Sequence, residues 1–424
     1  MVIVLVLLPV LVTACGSDSD TASTDISSTT EPPARHGADG TLALGQLAPL
    51  TGSLSSISKS LTVPVQAAVD EINAAGGIDG KPVTLAVADD GGGENPELAT
   101  TSFNDLVDTK QVDAVIGPTA TGTALDLLDE TRTKQVLECS GSNSAEELSV
   151  ADSGGYYFRT APPDRLQAIA LARLLVAEGK RKPVIVARDD AYGEAFVAPL
   201  QRELRTAGAK PAGKVITYDP LAKNLTAVGK QVAARKPDSV VTISLVDDGA
   251  KLINALSAAG VGPNQLPVYA PDGMQNIAFH TKVAPANPAA VYGIRGTAPA
   301  AAPAGPENAV TAALRKAGVP PVFSAHYYDC TILTALAALQ AGSDDPTKMK
   351  DVFAKSLRGN TDCSTFAACK QALEAGKTIH YRGASSPYDI WERIEPGQGT
   401  YDSWIYDGTG NVVTAAPGYQ LRVP

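Results

Sequence analysis

The sequence of 424 residues has few basic residues, few histidines and few aromatic residues. Basic residues are outnumbered, with 35 Lys and Arg against 45 Asp and Glu, so no basic surface is available for phosphate contacts and a nucleic-acid-binding protein is excluded. Only 4 His occur, none near a pair of Cys at ligand spacing, which argues against a metal site. Aromatic residues make up only 5% of the chain.

The composition that is present is typical of a globular protein, with 44% hydrophobic and 19% charged residues. The length suits two domains and a tail. Neither a GxSxG nor an HExxH motif occurs, and the segment Gly376–Thr378 lacks the earlier glycine of a P-loop. These absences give catalysis little support, and we expect a protein that is not an enzyme and has no cofactor.

The N-terminal residues indicate export. The apolar run Val2–Val12 is too short to span a bilayer, which takes about 20 residues, and it predicts a signal peptide over 1–15. Small residues before Cys15 resemble a bacterial lipobox, in which Cys15 carries the lipid; the alternative is a signal peptide without lipid and a chance cysteine. No Lys or Arg precedes the run, so we expect a start further upstream or a truncated segment. Residues 16–40 are polar and predict a disordered tether.

Four more cysteines follow Cys15, and an even number in an exported protein predicts two disulfides. Three pairings are open. Closeness in sequence favours Cys363 with Cys369, which leaves Cys139 with Cys330, and the alternative for the second pair is two buried free thiols.

Short apolar runs alternate with amphipathic stretches from Thr41 onward, which predicts an α/β fold with two doubly wound lobes. We expect the chain to cross a hinge near Ala161, Arg295 and Ser385, with a ligand cleft where the carboxyl ends of the strands of both lobes meet. The predicted segments are lobe 1 at 41–160, lobe 2 at 161–295, helices returning to lobe 1 at 296–384 and strands returning to lobe 2 at 385–424.

Several segments, in order along the chain, resemble the branched-chain amino-acid-binding proteins (Leu/Ile/Val-binding type) of ABC importers, which have the type I periplasmic binding fold. The matching segments are Leu47–Gly52, Ala67–Ile78, Val115–Pro118, Ala191–Gly193, Pro271–Gly273, Tyr328–Asp329 and Tyr381–Pro387. They cover nearly all of the chain after Thr41.

The resemblance implies a ligand carboxylate bound in lobe 1 by Thr121 and by the loop of Ser140, Gly141 and Ser142. Both places follow a strand, and Thr121 begins a predicted helix whose N-terminal N–H groups favour an anion. The alternative is that Thr121 and Ser142 are ordinary helix caps.

The resemblance also implies that Asp272 binds the ligand ammonium and that Tyr192 covers the ligand from lobe 2. The alternatives are a turn-forming Asp272 and a Tyr192 packed at the surface. The loops at 53–57 and 245–248 have no aromatic residue where some relatives have one, so we expect a roomier, aliphatic pocket.

The sequence therefore predicts a lipid-anchored, exported solute-binding protein that binds a small amino acid or a related carboxylate or amide. Its expected partners are an ABC permease and its ATPase subunits, and it is expected to be a monomer that meets the membrane only through its lipid. The alternative function is a ligand-binding sensor with the same fold that signals to a membrane partner.

Overall fold

The computed structural model describes residues 2, 39–300, 308–414 and 420–423. Cys15, the signal peptide at 1–15 and the tether up to 38 lie outside these residues. The two sheets both belong to one compact unit, His36–Pro424.

The first sheet follows the predicted alternation of strand and helix. Its five described strands are all parallel, in the order β2-β1-β3-β4-β5. Strands β3 and β4 are buried along their whole length, as expected for central strands covered on both faces. The elements are β1 (Ala43–Ala48), α1 (Ser58–Ala74), β2 (Thr84–Asp89), α2 (Pro96–Asn104), β3 (Ala114–Ile116), α3 (Thr121–Lys134), β4 (Leu137–Ser140), α4 (Glu146–Val150) and β5 (Tyr157–Arg159).

The second sheet is built in the same way and then extended by antiparallel strands from the end of the chain. Its parallel part runs β10-β9-β8-β6-β7. The elements are α5 (Asp164–Ala177), β6 (Pro183–Arg188), α6 (Ala191–Thr206), β7 (Ile216–Tyr218), α7 (Thr226–Ala234), β8 (Ser239–Ile243), α8 (Val246–Ala258), β9 (Val268–Ala270), α9 (Phe279–Val283) and β10 (Arg295–Pro299).

The last third of the chain returns to both sheets. The elements are α10 (Ala309–Ala317), α11 (Ser324–Ala341), α12 (Pro346–Val352), β11 (Thr361–Cys363), α13 (Phe366–Glu374), β12 (Ile379–Tyr381), β13 (Trp391–Glu392), β14 (Glu395–Pro396), β15 (Gly399–Tyr406), β16 (Val412–Thr414) and β17 (Gln420–Val423). Strand β15 pairs antiparallel with β10, β16 and β17.

Helix α11 completes the first lobe. It packs against α1, and the residues that it contributes to the core, among them Ile332 and Leu336, are fully buried. The structure contains both expected disulfides: Cys139 in β4 is bonded to Cys330 in α11, and Cys363 is bonded to Cys369.

Strand pairing and hydrogen bonds place two of the lobe boundaries later in the chain than the sequence predicts. Strand β10 pairs with β9 and belongs to the second sheet, so lobe 2 continues to Pro299 and does not end at 295. The segment that follows 385 does not leave lobe 1 at once, because the buried Asp329 of α11 accepts hydrogen bonds from the backbone and hydroxyl of Ser385 and from the hydroxyl of Tyr388. The third crossing therefore lies between β14 and β15.

None of the helices in the described ranges combines the length and the apolar composition that a bilayer-spanning helix requires. This finding covers only the residues that the structure describes.

Candidate ligand-binding site

A cavity of about 180 Å³ lies where the strand ends of the two sheets face each other. The first lobe contributes the loop after β1 and the segments 119–123 and 142–144, and the second lobe contributes the segments 188–192, 245–246 and 272–276. Of the residues predicted to bind the ligand, Thr121, Ser142, Tyr192 and Asp272 line this cavity.

The N-terminus of α3 presents backbone donors to the cavity. The residue before the helix, Ala120, provides no side-chain cap, and the first three helical residues, Thr121–Thr123, all line the cavity. No acidic residue lies in the first turn. The N–H groups and the positive end of the helix dipole therefore favour a negatively charged group at this point.

Contacts with the loop after β2 and with β1 fix the turn before α3. Gly117 has φ +121°, and a Cβ there would lie 2.3 Å from the carbonyl oxygen of Leu47, so only glycine fits. The buried carboxylate of Asp90 accepts the N–H of Thr119 at 2.8 Å. These contacts hold the helix start in place without covering its donors.

Ser140 and Gly141 were predicted to bind the ligand, but they do not line the cavity. Both residues instead support the loop through contacts on the side away from the cavity. The hydroxyl of Ser140 donates to the carbonyl of Pro118 at 2.8 Å. A Cβ on Gly141 would lie 2.5 Å from the ring of Tyr327, so α11 approaches the backbone there too closely for any side chain. Ser142 does line the cavity, and its hydroxyl donates to the carbonyl of Thr119 at 2.7 Å.

Two residues that the sequence analysis missed lie beside this loop. Ser144 lines the cavity, and its N–H points to the hydroxyl oxygen of Thr121 at 3.4 Å. The carbonyl of Ser144 accepts the N–H of Asp164 at 2.8 Å. Asp164 begins α5 directly after the first crossing between the lobes, where its carboxylate is fully buried and neither oxygen has a hydrogen-bond partner.

Asp272 provides a second carboxylate close to Asp164. Its Oδ1 atom is buried and has no hydrogen-bond partner. Burial raises the pKa of Asp272 to about 6, and a hydrogen bond from Gln167 offsets only part of that effect. Burial raises the pKa of Asp164 well above its usual value, and the negative charge of Asp272 raises it further.

Tyr192 covers this carboxylate pair from α6. Asp190 caps that helix by accepting the N–H of Gly193 at 3.0 Å, which orients the first turn. The Tyr192 hydroxyl lies against Gly273, where a Cβ would be 3.1 Å away. Burial raises the pKa of Tyr192 well above its usual value, and the negative charges of Asp272 and Asp164 add to that effect, so the phenol stays neutral.

The rest of the wall is mainly apolar. Leu54 and Ile57 contribute from the first lobe, Leu245 and Val246 from the second, and Phe323 from the residue before α11. The loops without aromatic residues thus provide aliphatic side chains, as expected.

One ion-pair network also reaches the cavity. Arg188 bonds Asp190 at 2.5 Å and the buried Asp248 at 2.9 Å, so its charge is compensated within the second lobe. Within the described ranges, no group of three or more His, Cys, Asp or Glu is arranged to hold a metal ion.

The cavity therefore joins an anion-favouring helix end, the carboxylate of Asp272 and a mainly aliphatic wall, while the buried Asp164 lies outside its lining. A family model described as periplasmic binding protein matches residues 41–406. The chain belongs to this family. Periplasmic binding proteins are extracytoplasmic solute-binding proteins, in agreement with the predictions of export and of binding without catalysis.

Curated relatives of this binding protein carry related names. The Leu/Ile/Val-binding protein BraC3 of Rhizobium johnstonii is 28% identical over 56% of this chain, and the match spans 63% of BraC3. The chemotactic signal transduction system substrate-binding protein BasB of Halobacterium salinarum is 24% identical over 84% of this chain and 85% of its own length.

Solved structures show the same fold. LivJ of Streptococcus pneumoniae, a branched-chain amino acid transporter substrate binding protein in complex with isoleucine, has a TM-score of 0.69 and 21% identity over 90% of this chain and 99% of its own. A solute binding protein of an ABC transporter from R. palustris in complex with benzoate has a TM-score of 0.68 and 19% identity over 89% of this chain and 96% of its own.

Proposed function

We propose that this binding protein captures a free amino acid with an aliphatic side chain and delivers it to an ABC importer. The observation that carries the proposal is three buried carboxylate oxygens without a hydrogen-bond partner, both of Asp164 and Oδ1 of Asp272, together with the uncapped start of α3. Buried charges require a partner of opposite sign, and an ammonium group provides it. The zwitterionic end of an amino acid matches both features at once.

The ligand carboxylate binds at the start of α3 and at the adjacent loop. The N–H groups of Thr121–Thr123 and the hydroxyls of Thr121 and Ser144 are the donors, while Ser142 borders them and Ser140 and Gly141 hold the loop. The side chain of the ligand packs on Leu54, Ile57, Leu245 and Val246.

Closure of the lobes completes the site. The anion-binding half belongs entirely to the first lobe, so the ligand binds there first. Movement of the second lobe then brings Asp272 and Tyr192 onto the ammonium, which provides the buried carboxylate oxygens with a charge of opposite sign.

An aromatic acid fits this cavity less well than an amino acid. Benzoate, the ligand of one structural neighbour, has a carboxylate for α3 but no cation for Asp164 and Asp272. Its burial would leave the carboxylate pair unpaired and bring a third negative charge into the same space.

A thermal-shift series with matched ligands tests the proposal. Leucine has both charged groups, 4-methylpentanoate lacks the ammonium, and isopentylamine lacks the carboxylate. We expect leucine or a similar aliphatic amino acid to raise the melting temperature, with a stabilisation of about 2.7 kcal/mol at 100 times its Kd. The two truncated ligands should produce little shift. A larger shift with benzoate or 4-methylpentanoate than with any amino acid would refute the assignment.

A second candidate function is sensing, and the similarity to the chemotactic protein BasB favours it. A sensor would have the same cavity and present its closed form to a signalling receptor. Affinity capture from membranes with the ligand-loaded protein distinguishes import from sensing. Capture of a permease with an ATPase supports import, and capture of a signalling receptor supports sensing.

We also propose that Cys15 carries a lipid and that the protein is a monomer. Cys15→Ala should release the protein from the membrane fraction, because the lipid is its expected attachment. Size-exclusion chromatography with light scattering measures the oligomeric state, and a dimer would contradict the second part.

A further inference from the structure

A hydrogen bond crosses the mouth of the cavity from one lobe to the other. The side-chain amide of Asn276 donates to the hydroxyl of Ser56 at 2.7 Å. Ser56 lies in the helical turn Ser55–Ile57 before α1, in the first lobe. Asn276 follows the turn Asp272–Met274 after β9, in the second lobe.

The second-lobe partner is held rigidly. Asn276 is 3% exposed, and its Oδ1 atom accepts the N–H of Ala278 at 2.8 Å. The hydroxyl of Tyr406 lies 2.6 Å from the carbonyl of Met274 and accepts the N–H of Asn276 at 3.1 Å. Because Oδ1 already has a donor, the Nδ2 end of the amide is the one that faces Ser56.

The first-lobe partner is exposed and lightly held. Ser56 is exposed, and no side chain caps its turn. The backbone N–H groups of Ser55, Ile57 and Ser58 donate to the carbonyls of Gly52 at 3.1 Å, Leu54 at 3.0 Å and Ser55, respectively. Leu54 and Ile57, on either side of Ser56, both line the cavity. The position of the Ser56 hydroxyl therefore depends on how these two side chains are packed.

We propose that the hydrogen bond between Ser56 and Asn276 acts as a latch that holds the lobes closed. A ligand side chain that packs on Leu54 and Ile57 positions the Ser56 hydroxyl for this bond. The inference rests on the proposed function, since it takes the ligand to be an aliphatic amino acid. A ligand that fills the apolar wall orders the turn and lengthens its own residence time. A shorter ligand leaves the turn loose and dissociates faster. Ser56 thus contributes to specificity without contacting the ligand.

Stopped-flow binding kinetics test the latch. Ser56→Ala removes one hydrogen bond, so we expect the dissociation rate of leucine to rise about threefold to tenfold with little change in the association rate. Alanine, the amino acid, should dissociate at nearly the same rate from both proteins. The matched control is Ser55→Ala, the neighbouring exposed serine. In an Asn276→Ala background, Ser56→Ala should have no further effect. Equal dissociation rates for leucine from wild type and Ser56→Ala would overturn the latch.

A second experiment does not depend on the identity of the ligand. Ser56→Cys together with Asn276→Cys should be joined by a short bifunctional thiol reagent, with the link located by peptide mass mapping. The control pairs Ser56→Cys with Leu221→Cys, an exposed position after the edge strand β7. No link in the first pair, or equal linking in both, would overturn the contact. Absence of any amino-acid thermal shift with preferential linking of the first pair would reject the proposed ligand and keep the latch contact.

Discussion

Binding of an amino acid should release protons from the carboxylate pair at the cleft. Asp164 is close enough to Asp272 to feel its negative charge, and burial raises the pKa of both carboxyl groups, that of Asp272 to about 6. Arg159, whose positive charge acts on Asp164, is already paired with Glu395. In the empty cleft at neutral pH the pair therefore retains a proton for part of the time, and an arriving ammonium displaces it.

The size of the effect follows from these pKa values. With a pKa of about 6, Asp272 is ionised for about one tenth of the time at pH 5 and about nine tenths at pH 7. Affinity for an ammonium ligand should thus be about tenfold weaker at pH 5 than at pH 7. Burial also raises the pKa of Asp164, which adds to the pH dependence in the same direction.

Isothermal titration calorimetry measures both quantities. Titrations at one pH in two buffers with different ionisation enthalpies give the number of protons released per ligand, and a pH series gives the change in Kd. Asp164→Asn and Asp272→Asn should each reduce the release and weaken binding. An enthalpy independent of the buffer, together with a Kd that is flat from pH 5 to pH 8, would refute the reasoning.

The raised pKa of Asp272 also predicts how the stability of the ligand-free protein depends on pH. A carboxyl whose pKa is raised by folding stabilises the fold below its unfolded value of 3.8, and this stabilisation is lost as pH rises through about 6. The loss amounts to about 3 kcal/mol for Asp272 at neutral pH. Asp272→Asn should therefore raise the melting temperature of the ligand-free protein at pH 8 more than at pH 5; an equal change at both pH values would contradict the assignment.

Four further changes test contacts that support the site and the fold around it. Gly141→Ala places a Cβ 2.5 Å from the ring of Tyr327, so it should weaken ligand affinity and cost about 1–3 kcal/mol of stability, measured by calorimetry and urea unfolding; an unchanged Kd would contradict the tight packing. Breaking the disulfide at Cys139, which spans 191 residues, should cost about 5 kcal/mol in urea unfolding. Breaking the bridge at Cys363, which spans 6, should cost about 2 kcal/mol, and the reverse order would contradict the loop-entropy argument. Glu395→Gln leaves a buried arginine without its charge partner and should cost about 3–5 kcal/mol by the same assay, whereas a neutral result would show that the arginine finds another acceptor.

Much of the fold could be predicted because its signals are local. The buried strand β3 is a short apolar run, and the start of α3 is marked by that strand and by the turn at Gly117 and Pro118 between them. The positions of Thr121, Ser142, Tyr192 and Asp272 on the cavity were predicted from a resemblance carried by adjacent residues.

The carboxylate of Asp164 could not be predicted in this way. In the sequence it follows Pro162 and Pro163 and looks like an ordinary acidic residue in the first turn of a helix. Its burial depends on the packing of α5 against two other parts of the chain, which no local pattern records. Ser140 fails for the opposite reason: it resembles a ligand-binding hydroxyl, but the carbonyl of Pro118 already accepts its hydrogen bond.

The third crossing was predicted too early because the aromatic pattern of the last segment does not indicate which lobe each residue joins. Tyr388 is kept in the first lobe by a single buried carboxylate, Asp329, which lies 59 residues earlier. Only the structure shows that pairing.

The return of α11 to the first lobe has a consequence for the order in which the chain matures. Cys139 emerges 191 residues before Cys330, with the whole parallel part of the second sheet in between. Throughout that interval the only earlier cysteine is Cys15. If Cys15 carries a lipid as proposed, it has no free thiol. Cys139 then cannot form an incorrect disulfide with an earlier cysteine of its own chain before Cys330 is synthesised. Lipidation would thus protect the native disulfide pairing as well as attach the protein to a membrane.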